Sequence, residues 1–239
     1  MKTLGLIGGL SWYSTIVYYR TINQLTNQYL GESNSAKIIL YSVNFNEFKN
    51  LQAQNEWGKI ESMLSGIACM LEEDGADCIV MCTNTPHLVA DIIRQKIKIP
   101  LLHIAEETAK EIVKQKIKKV GLIGTKFTME NSFFKDRLIN FGIEALIPEE
   151  DERNFIHFSV FEELTKGIFK DETKSRFINI INKLKEKGVE GVIFGCTEIS
   201  LLINQSDCSI KVFDTTIIHS KSAVDFALSD EMEKSNFNN

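Results

Sequence analysis

Along most of the chain, short apolar runs alternate with longer stretches in which apolar positions recur at helical spacing. A short run bounded by turn residues suits a strand buried on both faces, and such strands linked by helices make parallel sheets. The pattern predicts strands at residues 3–7, 37–43, 77–82 and 100–103, then 119–123, 143–147, 190–194 and 210–213. It predicts helices over 12–29, 57–74 and 104–116, then 130–141, about 155–166, 171–187 and 217–228, the first capped by Ser11. The fold class is α/β, with βα units building a parallel sheet in each half.

The halves repeat one another. Gly75-Ala76-Asp77-Cys78-Ile79-Val80-Met81-Cys82-Thr83-Asn84-Thr85 matches Gly188-Val189-Glu190-Gly191-Val192-Ile193-Phe194-Gly195-Cys196-Thr197-Glu198, and Leu4-Gly5-Leu6-Ile7-Gly8 recurs as Val120-Gly121-Leu122-Ile123-Gly124. Two copies at this distance are a duplication, not a solenoid. Aligned from their glycines, the copies set Asp77 on Glu190, Cys82 on Gly195 and Thr83 on Cys196. In a strand a slip of one residue reverses every side chain. The partner of Cys196 is therefore Thr83, or Cys82 if the backbone bulges. The repeat predicts two domains, 1–100 with 214–239 and 101–213, closely packed around a cleft because no polar linker separates them.

Composition narrows the function classes. With 239 residues, 44% hydrophobic and 25% charged, the chain has material for two small cores. A net charge of −5 with acids and bases interspersed leaves no basic patch, which excludes nucleic acid as a partner. No run reaches the ~18 apolar residues of a membrane span. The N-terminus has no signal-peptide pattern, so a cytoplasmic protein is expected. Five cysteines, an odd number, argue against a disulfide framework, and Cys69, Cys78 and Cys208 read as packing residues. No Cys-x-x-Cys occurs and the four histidines lie far apart, so no metal site is expected. His87 and His219 read as packing or surface residues. The polar tail from Glu231 to Asn239 is expected to fray.

Ligands of parallel α/β sheets sit beyond the carboxyl ends of the strands. That places Thr83, Asn84 and Thr85 of one half and Cys196, Thr197 and Glu198 of the other at the edge of a site for a small anionic ligand. The same residues also serve as helix caps. Thr125 and Thr128 have two readings as well, one in the cleft and one capping the helix that follows.

Several segments together carry a family resemblance. Met1 to Tyr19, Tyr41-Ser42-Val43-Asn44-Phe45, Cys82-Thr83-Asn84-Thr85-Pro86-His87, Gly124 to Glu130, Gly195-Cys196-Thr197-Glu198-Ile199 and Phe213-Asp214-Thr215-Thr216 resemble the aspartate/glutamate racemases. The resemblance implies a cofactor-independent amino-acid racemase with two pseudo-symmetric Rossmann-like domains, its active site in the interdomain cleft, usually a homodimer. Two acid/base residues, typically both cysteines, face opposite sides of the substrate α-carbon. Here Thr83 holds the place of the first cysteine, an arrangement similar to an enterobacterial branch that acts mainly on L-aspartate and L-glutamate. The implied catalytic pair is Thr83 and Cys196. The implied substrate contacts are Leu10, Ser11, Gln52, Asn84, Thr85, Thr125, Thr128, Thr165, Lys166, Thr197 and Glu198. Two positions depart from the family. No arginine lies between Arg20 and Arg94, and the lysine for the distal carboxylate aligns nearest Thr165, with Lys166 adjacent.

A thiol can be lowered into a useful range by a helix N-terminus or a cation, whereas an alcohol is a far weaker acid. Thr83 is expected to give a proton readily and to remove one poorly, so turnover should start well from L-substrate and poorly from D. Rival readings use the same cysteine for hydantoin racemisation, malonate decarboxylation or double-bond isomerisation. A reading of another class, drawn from Gly5-Leu6-Ile7-Gly8-Gly9 after a strand, is a metabolite-binding module without catalysis.

Overall fold

The protein is described by a computed structural model over residues 1–231. The chain divides into two units, Met1–His103 with the segment from His219 onward, and Ile104–Ile218. In the first, β1 (Leu4–Gly8), β2 (Ile38–Ser42), β3 (Cys78–Met81) and β4 (Leu101–Leu102) form a parallel sheet in the order β2-β1-β3-β4. In the second, β5 (Lys119–Ile123), β6 (Glu144–Leu146), β7 (Gly191–Phe194) and β8 (Lys211–Asp214) repeat it as β6-β5-β7-β8, also parallel. Every strand predicted from the apolar runs is present.

The central strands alternate between two cores. In the first unit Cys78, Val80 and Cys82 join Leu4, Leu6, Tyr18 and Ala223, under α1 (Trp12–Leu30) and α11 (Thr215–Ala227). Ile79 and Met81 face the other way, with Ile60, Leu64 and Ile67 of α3 (Trp57–Glu73). In the second unit Val192, Phe194 and Cys196 pack with Phe177 and Ile181 of α9 (Asp171–Glu186), while Ile193 packs with Phe134 and Phe213. This alternation is what a sheet covered on both faces requires. No helix among the described residues is long and apolar enough to cross a membrane.

The structure corrects several boundaries. The helix expected over 130–141 is two, α6 (Lys126–Glu130) and α7 (Ser132–Asn140), separated by Asn131 in the extended conformation, whose main-chain N and side chain both bond Phe127 O, at 3.2 and 3.0 Å. The helix expected near 155–166 is α8 (Glu150–Glu162), begun early by a capping box between Glu149 and Glu152, and Leu164–Lys166 is a separate 3-10 turn. The helix α2 (Phe45–Ala53) was not anticipated, and the helix expected to open after Cys82-Thr83 is a 3-10 turn, Thr85–Val89, followed by α4 (Ala90–Arg94). Residues 101–103 belong with the first unit, since Leu101 pairs with Ile79. Residues 214–218 stay with the second, where Thr215 Oγ1 donates to Phe194 O at 2.8 Å and Ile218 packs on its core. Of the tail, residues 232–239 lie outside the described residues.

Where β1 runs out, Gly9 has φ +77°, and its N–H donates to Thr15 Oγ1 at 2.9 Å. A Cβ there would lie 2.1 Å from Val43 O and 2.4 Å from Val43 N. Left-handed strain and backbone collision should together make Gly9→Ala destabilising by about 2–4 kcal/mol. Urea denaturation should show a lower midpoint with little change in slope. Gly58→Ala, in α3 with nothing within 4 Å, is the control and should be neutral or mildly stabilising.

Candidate active site

In each sheet the strand order reverses beside one central strand, so the loops after β1 and β3, and after β5 and β7, open at the carboxyl edge where α/β sheets hold ligands. The backbone settles which residues correspond. Cys82 N donates to Ile7 O at 2.9 Å, and Gly195 N donates to Ile123 O at 2.8 Å. The ladders agree, pairing Ile7 with Met81 and Ile123 with Phe194. Since Ile7 and Ile123 hold the same place in the duplicated segment, Cys82 is the counterpart of Gly195 and Thr83 the counterpart of Cys196. There is no bulge. Cys82 is 1% exposed in the core with Cys78 and Val80, and burial pushes its thiol far above the ordinary range.

In the first unit Thr83 and Thr85 are half-buried and Asn84 is buried. Residues Thr85–Val89 form a 3-10 turn, and the ring nitrogen Nδ1 of buried His87 lies 2.9 Å from Thr83 O. Ser11 caps α1 through a bond from Ser14 N, and Thr15 Oγ1 donates to Ser11 O. The side chain of Leu10 is packed in the core, which leaves only its main chain for a ligand. Gln52, on α2, is half-buried.

In the second unit Cys196, Thr197 and Glu198 are all buried. The Cys196 thiol donates to Glu198 Oε2 at 2.9 Å, and the Thr197 hydroxyl donates to the same oxygen at 2.7 Å. The expectation of a thiol lowered by a helix terminus is reversed here. The following helix α10 (Ile199–Leu202) is a single turn, so its dipole is small. Burial first, then the neighbouring Glu198 carboxylate, pushes the Cys196 thiol well above its ordinary value. Thr125 caps α6, with its hydroxyl 3.2 Å from that of Thr128. Thr128 is buried against Gly195, where an added Cβ would lie 2.9 Å from its methyl group. Its packing there thus depends on that glycine.

Thr165 and Lys166 are farther committed to local bonds. Thr165 Oγ1 donates to Phe161 O at 2.9 Å, and exposed Lys166 pairs with Glu162 at 2.5 Å. Asp214, part of a segment that carries the family resemblance, was given no site role by the sequence reading. It ends β8, accepts from Thr216 N at 2.9 Å and from Ile217 N at 3.3 Å, and burial raises its pKa. The signal was an aspartate opening a helix, as a cap does. Among the described residues no three His, Cys, Asp or Glu side chains converge as metal ligands.

The Asp/Glu/Hydantoin racemase family model matches residues 7–223. A protein of Yersinia pestis assigned as an Asp/Glu racemase is 50% identical, with a TM-score of 0.92 over 95% of this chain and 100% of that one. An aspartate racemase homologue from Pyrococcus horikoshii OT3 is 36% identical, with a TM-score of 0.86 over 95% and 99% of the two chains. The broad specificity amino-acid racemase RacX of Bacillus subtilis (strain 168) is 22% identical over 224 residues, 92% of this chain and 96% of its own.

Two pH effects are expected. Because the Glu198 carboxylate disfavours the thiolate, Glu198→Gln should lower the pH midpoint for alkylation of Cys196 by iodoacetamide, followed by peptide mass spectrometry. An unchanged midpoint would show that the carboxylate does not act on the thiol. His87 is held well below its usual pKa by burial and by His103 and His219. The unfolded chain therefore takes up a proton below about pH 6.5 that the folded chain refuses. The stabilisation is complete above that pH and is lost as pH falls, by up to ~1.4 kcal/mol per pH unit for one group. His87→Gln should flatten the fall in unfolding free energy between pH 6.5 and 5, which denaturant titration at each pH would measure.

Proposed function

This chain belongs to the Asp/Glu/Hydantoin racemase family, and we propose that it is a cofactor-independent racemase preferring L-aspartate and L-glutamate, with Cys196 and Thr83 as its two acid/base groups. The observation that carries this reading is the equivalence of the two positions in the duplicated backbone, one bearing a thiol on a carboxylate and the other a hydroxyl.

The chemistry follows from that inequality. With L-substrate, the Cys196 thiol first passes its proton to Glu198, a transfer that leaves the net charge of the pair unchanged. The thiolate takes the α-hydrogen, and the electron pair spreads onto the α-carboxylate. Side-chain and main-chain donors at Asn84, Thr85 and Thr197 support that charge. The Thr83 hydroxyl then returns a proton from the opposite face; solvent reprotonates its oxygen and takes the proton held by Glu198, which restores the starting carboxylate. In reverse, Thr83 would have to act as an alkoxide, which is scarce at neutral pH.

Enantiomers have equal free energy, so kcat/KM must be the same in both directions. The slow start expected from D-substrate therefore cannot appear in that ratio. It appears in exchange: Cys196 can remove and replace the hydrogen of L-substrate many times without inversion, while D-substrate exchanges only as fast as it inverts. The acidic preference draws on the relatives' descriptions and on polar Gln52, Thr165 and Lys166. Freeing Lys166 for a distal carboxylate breaks one exposed ion pair, worth about 0–1 kcal/mol.

Chiral chromatography and α-proton exchange in D₂O, across a panel of L- and D-amino acids, test the assignment. Aspartate and glutamate should racemise without added cofactor. Cys196→Ala should abolish both exchange and inversion, Thr83→Ala should keep exchange of the L-isomer and lose inversion at least about 100-fold, within the range of an acid/base group, and Cys82→Ser should stay near wild type. Inversion lost in Cys82→Ser and kept in Thr83→Ala would overturn the pair.

A further inference from the structure

Three histidines far apart in sequence meet inside the first unit, where His87, His103 and His219 are each at most 2% exposed. The His87 ring lies edge-on to those of His103 and His219, with centroids 4.8 and 5.4 Å away. Hydrogen bonding fixes two tautomers. His219 Nε2 lies 3.0 Å from Leu102 O, which can only accept, so this nitrogen carries the proton and Nδ1 accepts from the Tyr18 hydroxyl at 2.9 Å. His87 Nδ1 lies 2.9 Å from Thr83 O and 3.2 Å from Asn84 O, two acceptors, so it carries the proton and donates to both.

The counterpart turn explains why a ring is needed there. In the second unit the carbonyl of Cys196 accepts from Ile199 N, three residues on, at 3.2 Å. Three residues after Thr83 stands Pro86, which has no N–H to give. The main-chain bond that holds the acid/base residue in one half is thus chemically impossible in the other, and the His87 ring occupies its place. The ring is itself wedged by His103 and His219, and through His219 it is tied to Tyr18 of α1 and to the end of β4.

We propose that His87 is the positioning residue of the first catalytic turn: its Nδ1–H replaces the donor lost at Pro86 and holds Thr83 where its hydroxyl reprotonates the substrate α-carbon. This rests on the reading of Thr83 as proton donor. A ring that merely filled space would affect both halves of the reaction through stability, whereas a positioning ring affects inversion and spares exchange at Cys196.

The test is the ratio of inversion to α-deuteration for L-aspartate in D₂O, in which exchange at Cys196 counts the folded sites. His87→Asn keeps a donor at the position of Nδ1, and His87→Gln moves it one bond farther out. The ratio should fall at least about tenfold in His87→Gln, stay within about threefold of wild type in His87→Asn, and recover in Pro86→Ala/His87→Gln, where a main-chain donor returns. Equal ratios in the Asn and Gln variants, or loss of exchange together with inversion in both, would overturn the proposal. Should His87→Gln not fold, the comparison of His87→Asn with wild type and with the double variant carries the same decision, and a depressed ratio in both overturns it. If Thr83→Ala leaves the ratio unchanged, the reading of Thr83 fails; if Thr83→Ala lowers it and His87→Gln does not, only the role of His87 fails.

Discussion

One main-chain hydrogen bond, made twice, sets the chemistry of this protein. Cys82 N to Ile7 O in the first unit and Gly195 N to Ile123 O in the second are the last ladder bonds before the chain leaves each central strand. They fix which residue emerges next at the carboxyl edge. A slip of one residue would bring Cys82 out and bury Thr83, so that the two equivalent positions would carry two thiols rather than a thiol and a hydroxyl. The burial of Cys82 beside Val80 shows the cost of that slip, since it would also turn Met81 and Ile79 out of their core.

With the positions fixed, the two turns differ in everything that governs proton affinity. Cys196 sits on a carboxylate that also binds Thr197, in a buried setting that keeps its proton on sulfur. Thr83 has a hydroxyl and a carbonyl held by a histidine ring. A duplicated backbone therefore carries unequal acids, and the inequality is built by neighbours at two and four residues' distance rather than by the sheet. Small residues make room for it: Gly195 admits Thr128, and Gly9 lets the loop after β1 lie against Val43.

Much of this was legible in the sequence, for identifiable reasons. The central strands, buried on both faces, write themselves as apolar runs, the more exposed edge strands still carry enough apolar residues to be placed, and the duplicated glycines and acids were enough to set Thr83 on Cys196. The break at Asn131 was not legible, because it is a single extended residue inside an otherwise helical pattern. Nor was the direction of the Cys196 shift, which depends on Glu198 folding back onto the thiol. His87 and His219 were read as packing or surface residues, and their convergence with His103 required the fold. The absent N–H of Pro86 was visible from the start, but its meaning needed the Ile199 bond in the other half.

The most direct test is deuterium incorporation by the wild-type protein in D₂O, followed separately from L- and D-aspartate at early times. Unequal acids require deuterium to accumulate in recovered L-aspartate ahead of D-product, with recovered D-aspartate gaining none ahead of L-product. Equal incorporation into both recovered substrates would mean two interchangeable bases, and would contradict the assignment of Thr83.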